Sequence, residues 1–130
     1  MCGIFGVISR APVDERDLSV LVRQAQQRGR DSSGLLKLAP SGYQIFRANH
    51  PIAWLMKKAR PSSSSLVMGH SRLITNGLAD NQPVVRDDVC VFHNGIVVNH
   101  ESLWPVIGES PRLQIDTEII AAIACAHIRE

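Results

Sequence analysis

The 130-residue sequence predicts one α+β domain built on a mostly antiparallel sheet. Two observations carry that expectation. Hydrophobic residues make up 45% and charged residues 20%, the balance of a globular domain with a core rather than of a disordered tail. Short strand-like and helical segments also follow one another in the order β-α-β-β-α-β-β-β-α-α, with hairpin signals between successive strands.

The first strand is Cys2 to Ile8, a short apolar run with β-branched and aromatic members. Ala11-Pro12 breaks it, and Asp14 or Asp17 is placed to cap a helix from Asp17 to about Gln27, in which Leu18, Leu21, Val22 and Ala25 recur at helical spacing. Gly29 stops that helix inside the segment Arg28-Gly29-Arg30-Asp31-Ser32-Ser33-Gly34. Gly34 to Leu38 and Tyr43 to Ala48 read as two strands joined across Pro40-Ser41-Gly42. Pro51 suits the first turn of a short helix through Trp54 and Met56. After a serine-rich loop, Leu66 to His70 is another buried strand, and Arg72 to Pro83 a long polar connection. Val84-Val85 and Val89 to Phe92 flank Asp87-Asp88 as a hairpin. Glu101 to Ile107 and Thr117 to Ile128 complete the set as helices, the second with Asp116 at its N-cap. Its face of Ile119, Ile120, Ile123 and Ile128 asks for a partner surface.

Charge and composition exclude several function classes. Fourteen basic against twelve acidic residues leave a net charge of +2 without long runs, and two Trp, one Tyr and three Phe give few stacking surfaces. Nucleic acid is not the expected partner. No apolar run approaches the roughly 18 residues of a membrane span. Three widely spaced cysteines (Cys2, Cys90, Cys125) make no disulfide framework and point to a reducing compartment, the cytoplasm. The five histidines and three cysteines show no metal-ligand spacing, so neither a metal nor a cofactor is expected.

Chemistry gathers at a few polar segments between apolar strands. Removal of Met1 would leave Cys2 with a thiol beside a free α-amine, whose reference pKa of about 7.7–8.0 suits a general base; otherwise Cys2 is a small buried strand residue. Arg72 in His70-Ser71-Arg72 is either a two-pronged clamp for a carboxylate or a surface arginine. Asn94-Gly95 is either an oxyanion site or an ordinary hairpin turn. Asp116 either meets a ligand ammonium or caps its helix, and Arg28-Gly29 belongs either to a site loop or to a helix stop.

Taken together, Met1-Cys2-Gly3-Ile4-Phe5-Gly6, Arg28 to Gly34, Gly69-His70-Ser71-Arg72, Asn81-Gln82-Pro83, His93-Asn94-Gly95-Ile96 and Asp116-Thr117-Glu118 resemble the class II glutamine amidotransferases, which are N-terminal-nucleophile hydrolases. Within that family the wording from Phe92 to Glu101 is most similar to the glutaminase domain of glucosamine-6-phosphate synthases. Leu73 is similar to asparagine synthetases, and Asn81-Gln82-Pro83 to phosphoribosyl-pyrophosphate amidotransferases.

The resemblance implies an α/β/β/α sandwich, incomplete in 130 residues, with residues 1–130 as the N-terminal part of a glutaminase domain. It implies hydrolysis of L-glutamine to glutamate and ammonia through a γ-glutamyl thioester, the ammonia passing to an acceptor, a sugar phosphate by the closest wording, on a domain or subunit beyond Glu130. Cys2 would be the nucleophile, and Asn94 with the Gly95 N–H the oxyanion hole. Arg72, Thr75 and Asn76 would hold the substrate carboxylate and Asp116 its ammonium, with Arg28 and Gly29 lining the pocket. The alternative is a catalytically silent glutamine-binding module of the same fold.

Overall fold

The computed structural model describes residues 2–73 and 81–128. The elements are β1 (Gly3–Ile8), α1 (Glu15–Gln26), β2 (Ser32–Ala39), β3 (Gly42–Ala48), α2 (Ile52–Ala59), a 3-10 turn (Pro61–Ser63), β4 (Leu66–Arg72), β5 (Val84–Arg86), β6 (Val89–Val91), α3 (His100–Ile107) and α4 (Thr117–Ile128). Their order is the one expected, and every described strand pairing is antiparallel. The α+β class with mostly antiparallel sheets therefore holds.

Boundaries move where a local partner decides them. Asp14, not Asp17, caps α1, its carboxylate accepting the Arg16 N–H at 2.7 Å, so the helix starts at Glu15. β2 begins at Ser32 rather than Gly34 and β4 runs on to Arg72, because Ser32 and Ser33 pair with Arg72 and Ser71. Asp116 stands directly before α4, at the expected N-cap position, and its carboxylate accepts from the Val97 N–H at 2.7 Å, in a loop distant in sequence.

Four strands form one sheet in the order β1-β4-β2-β3, and β5 and β6 form a separate hairpin. The pleat gives the sheet two faces. On one, Phe5, Leu35 and Val67 pack with Leu18, Val22 and Ala25 of α1 and Ile52, Leu55 and Ala59 of α2 into the main core. Each fully buried Leu, Ile or Phe there contributes about 1.5–3 kcal/mol relative to exposure. Gly69 is required on this face because the Phe5 ring occupies the space a Cβ would fill.

The other face carries Ile4, His70, Gly34 and Arg47 in one cross-strand row. The chain entering β5 crosses this face. A side chain at Gly34 would collide with the Gln82 carbonyl, Arg47 Nε donates to Pro83 O at 2.8 Å, and Asn81 Nδ2 donates to Ser33 O and Ala48 O at 3.0 and 3.1 Å. The α4 helix then packs Ala121 with Val84 of β5, and Ile119 and Ala122 with Trp104 of α3. The apolar face of α4 thus finds much of its partner surface in the β5–β6 hairpin and α3, although Ile128 is 70% exposed.

One ion-pair cluster fastens this second half. Arg86, only 3% exposed, donates to Glu118 at 2.6 Å and to Glu109 at 2.7 Å, and lies 5.2 Å from the Trp104 ring centroid. Glu118 also accepts the Arg112 and Leu113 N–H groups. Nothing in the sequence separates Arg86 from a surface hairpin arginine beside Asp87-Asp88, so sequence reasoning misses this cluster.

Candidate active site

Cys2 precedes the first residue of β1 and is half-buried. Its main-chain nitrogen lies 3.2 Å from Asn94 Oδ1, and its carbonyl accepts from Arg28 Nε at 3.1 Å. Two of the expected site segments, remote in sequence, therefore meet at the same residue. The tethers grip the main chain on both sides of the Cys2 side chain.

Gly29 brings a third segment in. It is buried where the chain leaving α1 crosses the end of β4, and a Cβ there would collide with Arg72 C and Leu73 N. The Ser71 hydroxyl donates to Gly29 O at 2.6 Å and the Asp31 N–H to Arg72 O at 2.9 Å, which locks the crossing. Arg72, half-buried, ends β4 two residues from His70, so the two share a sheet face. Thr75 and Asn76 lie outside the described residues.

Asn94 and Gly95 are exposed on the connection between β6 and α3. Gly95 is needed for contact rather than for backbone freedom, since a Cβ there would sit 2.7 Å from His93 Nε2. Asp116, half-buried, reaches this connection through its bond to the Val97 N–H. The carboxylate is thus tied to the segment that carries Asn94.

His70 lies beneath this region with no exposed surface, and neither ring nitrogen hydrogen-bonds to a described residue. Burial is the main cause that lowers its pKa from 6.5 to about 4, and the Arg72 charge adds to the shift. The nearby His93 main chain opposes it, close enough to act on the ring but outside hydrogen-bonding geometry. His70 is therefore neutral near pH 7. Burial likewise raises the Cys90 thiol pKa, an effect that Arg47 partly offsets.

Sequence reasoning missed Gln82 and Thr117 as individual actors, although both lie in motifs it singled out. Gln82, 4% exposed, accepts the His93 N–H on Oε1 at 2.7 Å and donates from Nε2 to Thr117 Oγ1 at 3.2 Å. Their signal was only a place inside Asn81-Gln82-Pro83 and Asp116-Thr117-Glu118. No group of three or more metal-ligating side chains occurs among the described residues.

Curated relatives match this chain along nearly its whole length. It is 31% identical over 99% of the chain to a glutamine–fructose-6-phosphate aminotransferase (isomerizing) of Bradyrhizobium diazoefficiens. It is 33% identical over 93% of the chain to the enzyme of that name from Rhizobium leguminosarum bv. viciae, and 31% identical over 100% to that of Agrobacterium fabrum. The chain is a relative of the class II glutamine amidotransferases. It spans 22%, 21% and 22% of the length of these three enzymes, about a fifth of each. No family model matches it. No helix among the described residues is long and apolar enough to cross a membrane.

Proposed function

We propose that this chain is the N-terminal part of a glutaminase domain of the N-terminal-nucleophile type, and that it hydrolyses L-glutamine to glutamate and ammonia. The observation that carries the reading is the meeting of Cys2 with Asn94 at 3.2 Å and with Arg28 at 3.1 Å. The approach of the helix layer, the four-stranded sheet, the β5–β6 hairpin and α4 supports an α/β/β/α sandwich for the domain. The names of the aminotransferases it resembles support glutamine as substrate.

With Met1 removed, the Cys2 nitrogen is an α-amine with a reference pKa of about 7.7–8.0. It takes the thiol proton as sulfur attacks the glutamine δ-carbon. The carbonyl oxygen becomes an oxyanion, stabilised by Asn94 Nδ2–H and the Gly95 N–H. Because Asn94 Oδ1 faces the Cys2 nitrogen, its amide group is turned the other way, toward a developing anion. Collapse of the intermediate breaks the C–N bond. The ammonium gives its proton to the leaving nitrogen, ammonia departs, and a γ-glutamyl thioester remains.

Water then attacks the thioester and yields its proton to the amine. The second intermediate expels the thiolate, which regains that proton, and glutamate leaves. Arg72, with Thr75 and Asn76, holds the substrate carboxylate, and Asp116 its ammonium. Arg28 fixes the Cys2 carbonyl, and Gly29 lets β4 approach closely enough to place Arg72. Ammonia passes to an acceptor, a sugar phosphate by the names of the relatives, on a domain or subunit outside residues 1–130.

Intact-mass spectrometry before and after exposure to a diazoketone analogue of glutamine tests this reading. Loss of Met1 and one adduct that is absent from Cys2→Ala are expected. A retained Met1, or no adduct on a folded chain, would overturn it.

A further inference from the structure

A buried network joins the loop carrying Asn94 and Gly95 to the first turn of α4. Gln82 Oε1 accepts the His93 N–H, which fixes the orientation of the amide and makes Nε2 the donor to Thr117 Oγ1. Thr117 is fully buried and has one hydroxyl proton. Its oxygen accepts from Gln82, and the other partner it has among the described residues is His93 Nδ1, 3.3 Å away, which can take that proton. With the hydroxyl donating in that direction the His93 ring is the Nε2–H tautomer, with Nε2 against Gly95.

The far end of the same loop has its own tether, the 2.7 Å bond from the Val97 N–H to Asp116 Oδ2. Asp116 and Thr117 are adjacent. Two successive residues at the start of α4 therefore hold both ends of residues 93–97, with Asn94 and Gly95 between them.

We propose that Thr117 and Gln82 are positioning residues, which act through His93 to hold Asn94 and the Gly95 N–H in the geometry of an oxyanion hole. This rests on the glutaminase reading for its catalytic consequence, though not for the network itself. Oxyanion donors work because they are fixed before charge develops, and small displacements of such groups cost large factors in rate. A threonine methyl cannot do this, and only the hydroxyl links Gln82 to the His93 ring.

The test uses the full chain, with Thr117→Val, Thr117→Ser and Gln82→Met. With glutamine as substrate, Thr117→Val is expected to lower kcat by about tenfold or more while KM moves less than about twofold, and Thr117→Ser to recover most of the loss. Backbone amide order parameters of Asn94 and Gly95 should fall in Thr117→Val from about 0.85 toward 0.6. Unchanged kcat and unchanged order parameters in Thr117→Val overturn the proposal.

If Thr117→Val fails to fold by circular dichroism, Gln82→Met provides the same comparison. The wild-type His93 nitrogen shifts need no variant: the Nε2–H tautomer supports the network, and the Nδ1–H tautomer overturns it. Absence of glutamate release by the wild-type chain counts against the glutaminase reading alone, and the order parameters and tautomer still decide the network.

Discussion

Asn94 reaches back 92 residues to place its side-chain oxygen 3.2 Å from the main-chain nitrogen of Cys2. An amide side chain has an accepting end and a donating end, and this contact assigns them. The accepting end steadies the residue that bears the thiol, and the donating end remains for a second partner. In the proposed reaction, one side chain would both orient the nucleophile and stabilise the charge that attack creates.

Asn94→Ala is expected to lower glutamate release on the order of 10²–10³-fold, the cost of one lost oxyanion donor, with only a small change in KM. Steady-state measurement of glutamate production gives both constants. Unaltered kcat would remove Asn94 from the reaction.

The Arg86–Glu118 pair makes a prediction about stability. Both side chains are 2% exposed, so Glu118→Ala leaves a buried guanidinium whose remaining carboxylate, Glu109, has a side chain 41% exposed. Breaking a buried pair from one side costs about 3–5 kcal/mol. Urea unfolding should show a midpoint lowered accordingly. Replacing both partners by apolar residues of similar volume should cost much less than Glu118→Ala alone.

His70 makes a prediction about pH. Its folded pKa of about 4 lies below the ordinary 6.5, so between those values the unfolded chain binds more protons than the folded one. The contribution of His70 is therefore fully present above pH 6.5, declines as pH falls below it, and is gone below about pH 4. At about 1.36 kcal/mol per pKa unit the total is on the order of 3 kcal/mol. His70→Asn should flatten the stability profile between pH 6.5 and 4 in urea titrations at stepped pH. An equally steep profile in that variant would assign the pH dependence to other groups.

The order of elements was legible because strands and helices here obey simple periodicities, as Leu18, Val22 and Ala25 show by all facing the core. The Cys2, Arg28 and Asn94 segments were legible through their motifs, and the structure brings those three into contact. What escaped were features that only long-range contact creates. Asp116 looked like a helix cap because an aspartate before a helical run is the local signal for one. It stands at that position, but the described partner of its carboxylate is 19 residues away in sequence. Gln82, Thr117, Arg86 and Glu118 are polar residues that a sequence places on the surface by default, and each is buried because it finds a specific partner.

The strand order β1-β4-β2-β3 means that β1 touches neither of the strands made soon after it. Its hydrogen-bonded neighbour is β4, in which Ser71 faces Gly3 across the sheet. During synthesis the amino terminus must therefore wait, unpaired, while two strands and two helices emerge, and wait longer still for Asn94. Closing so long a loop has an entropic cost that local hairpins avoid. Until that closure Cys2 sits on a loose end, and the ribosome has delivered all of residues 2–94 before Cys2 and Asn94 can meet.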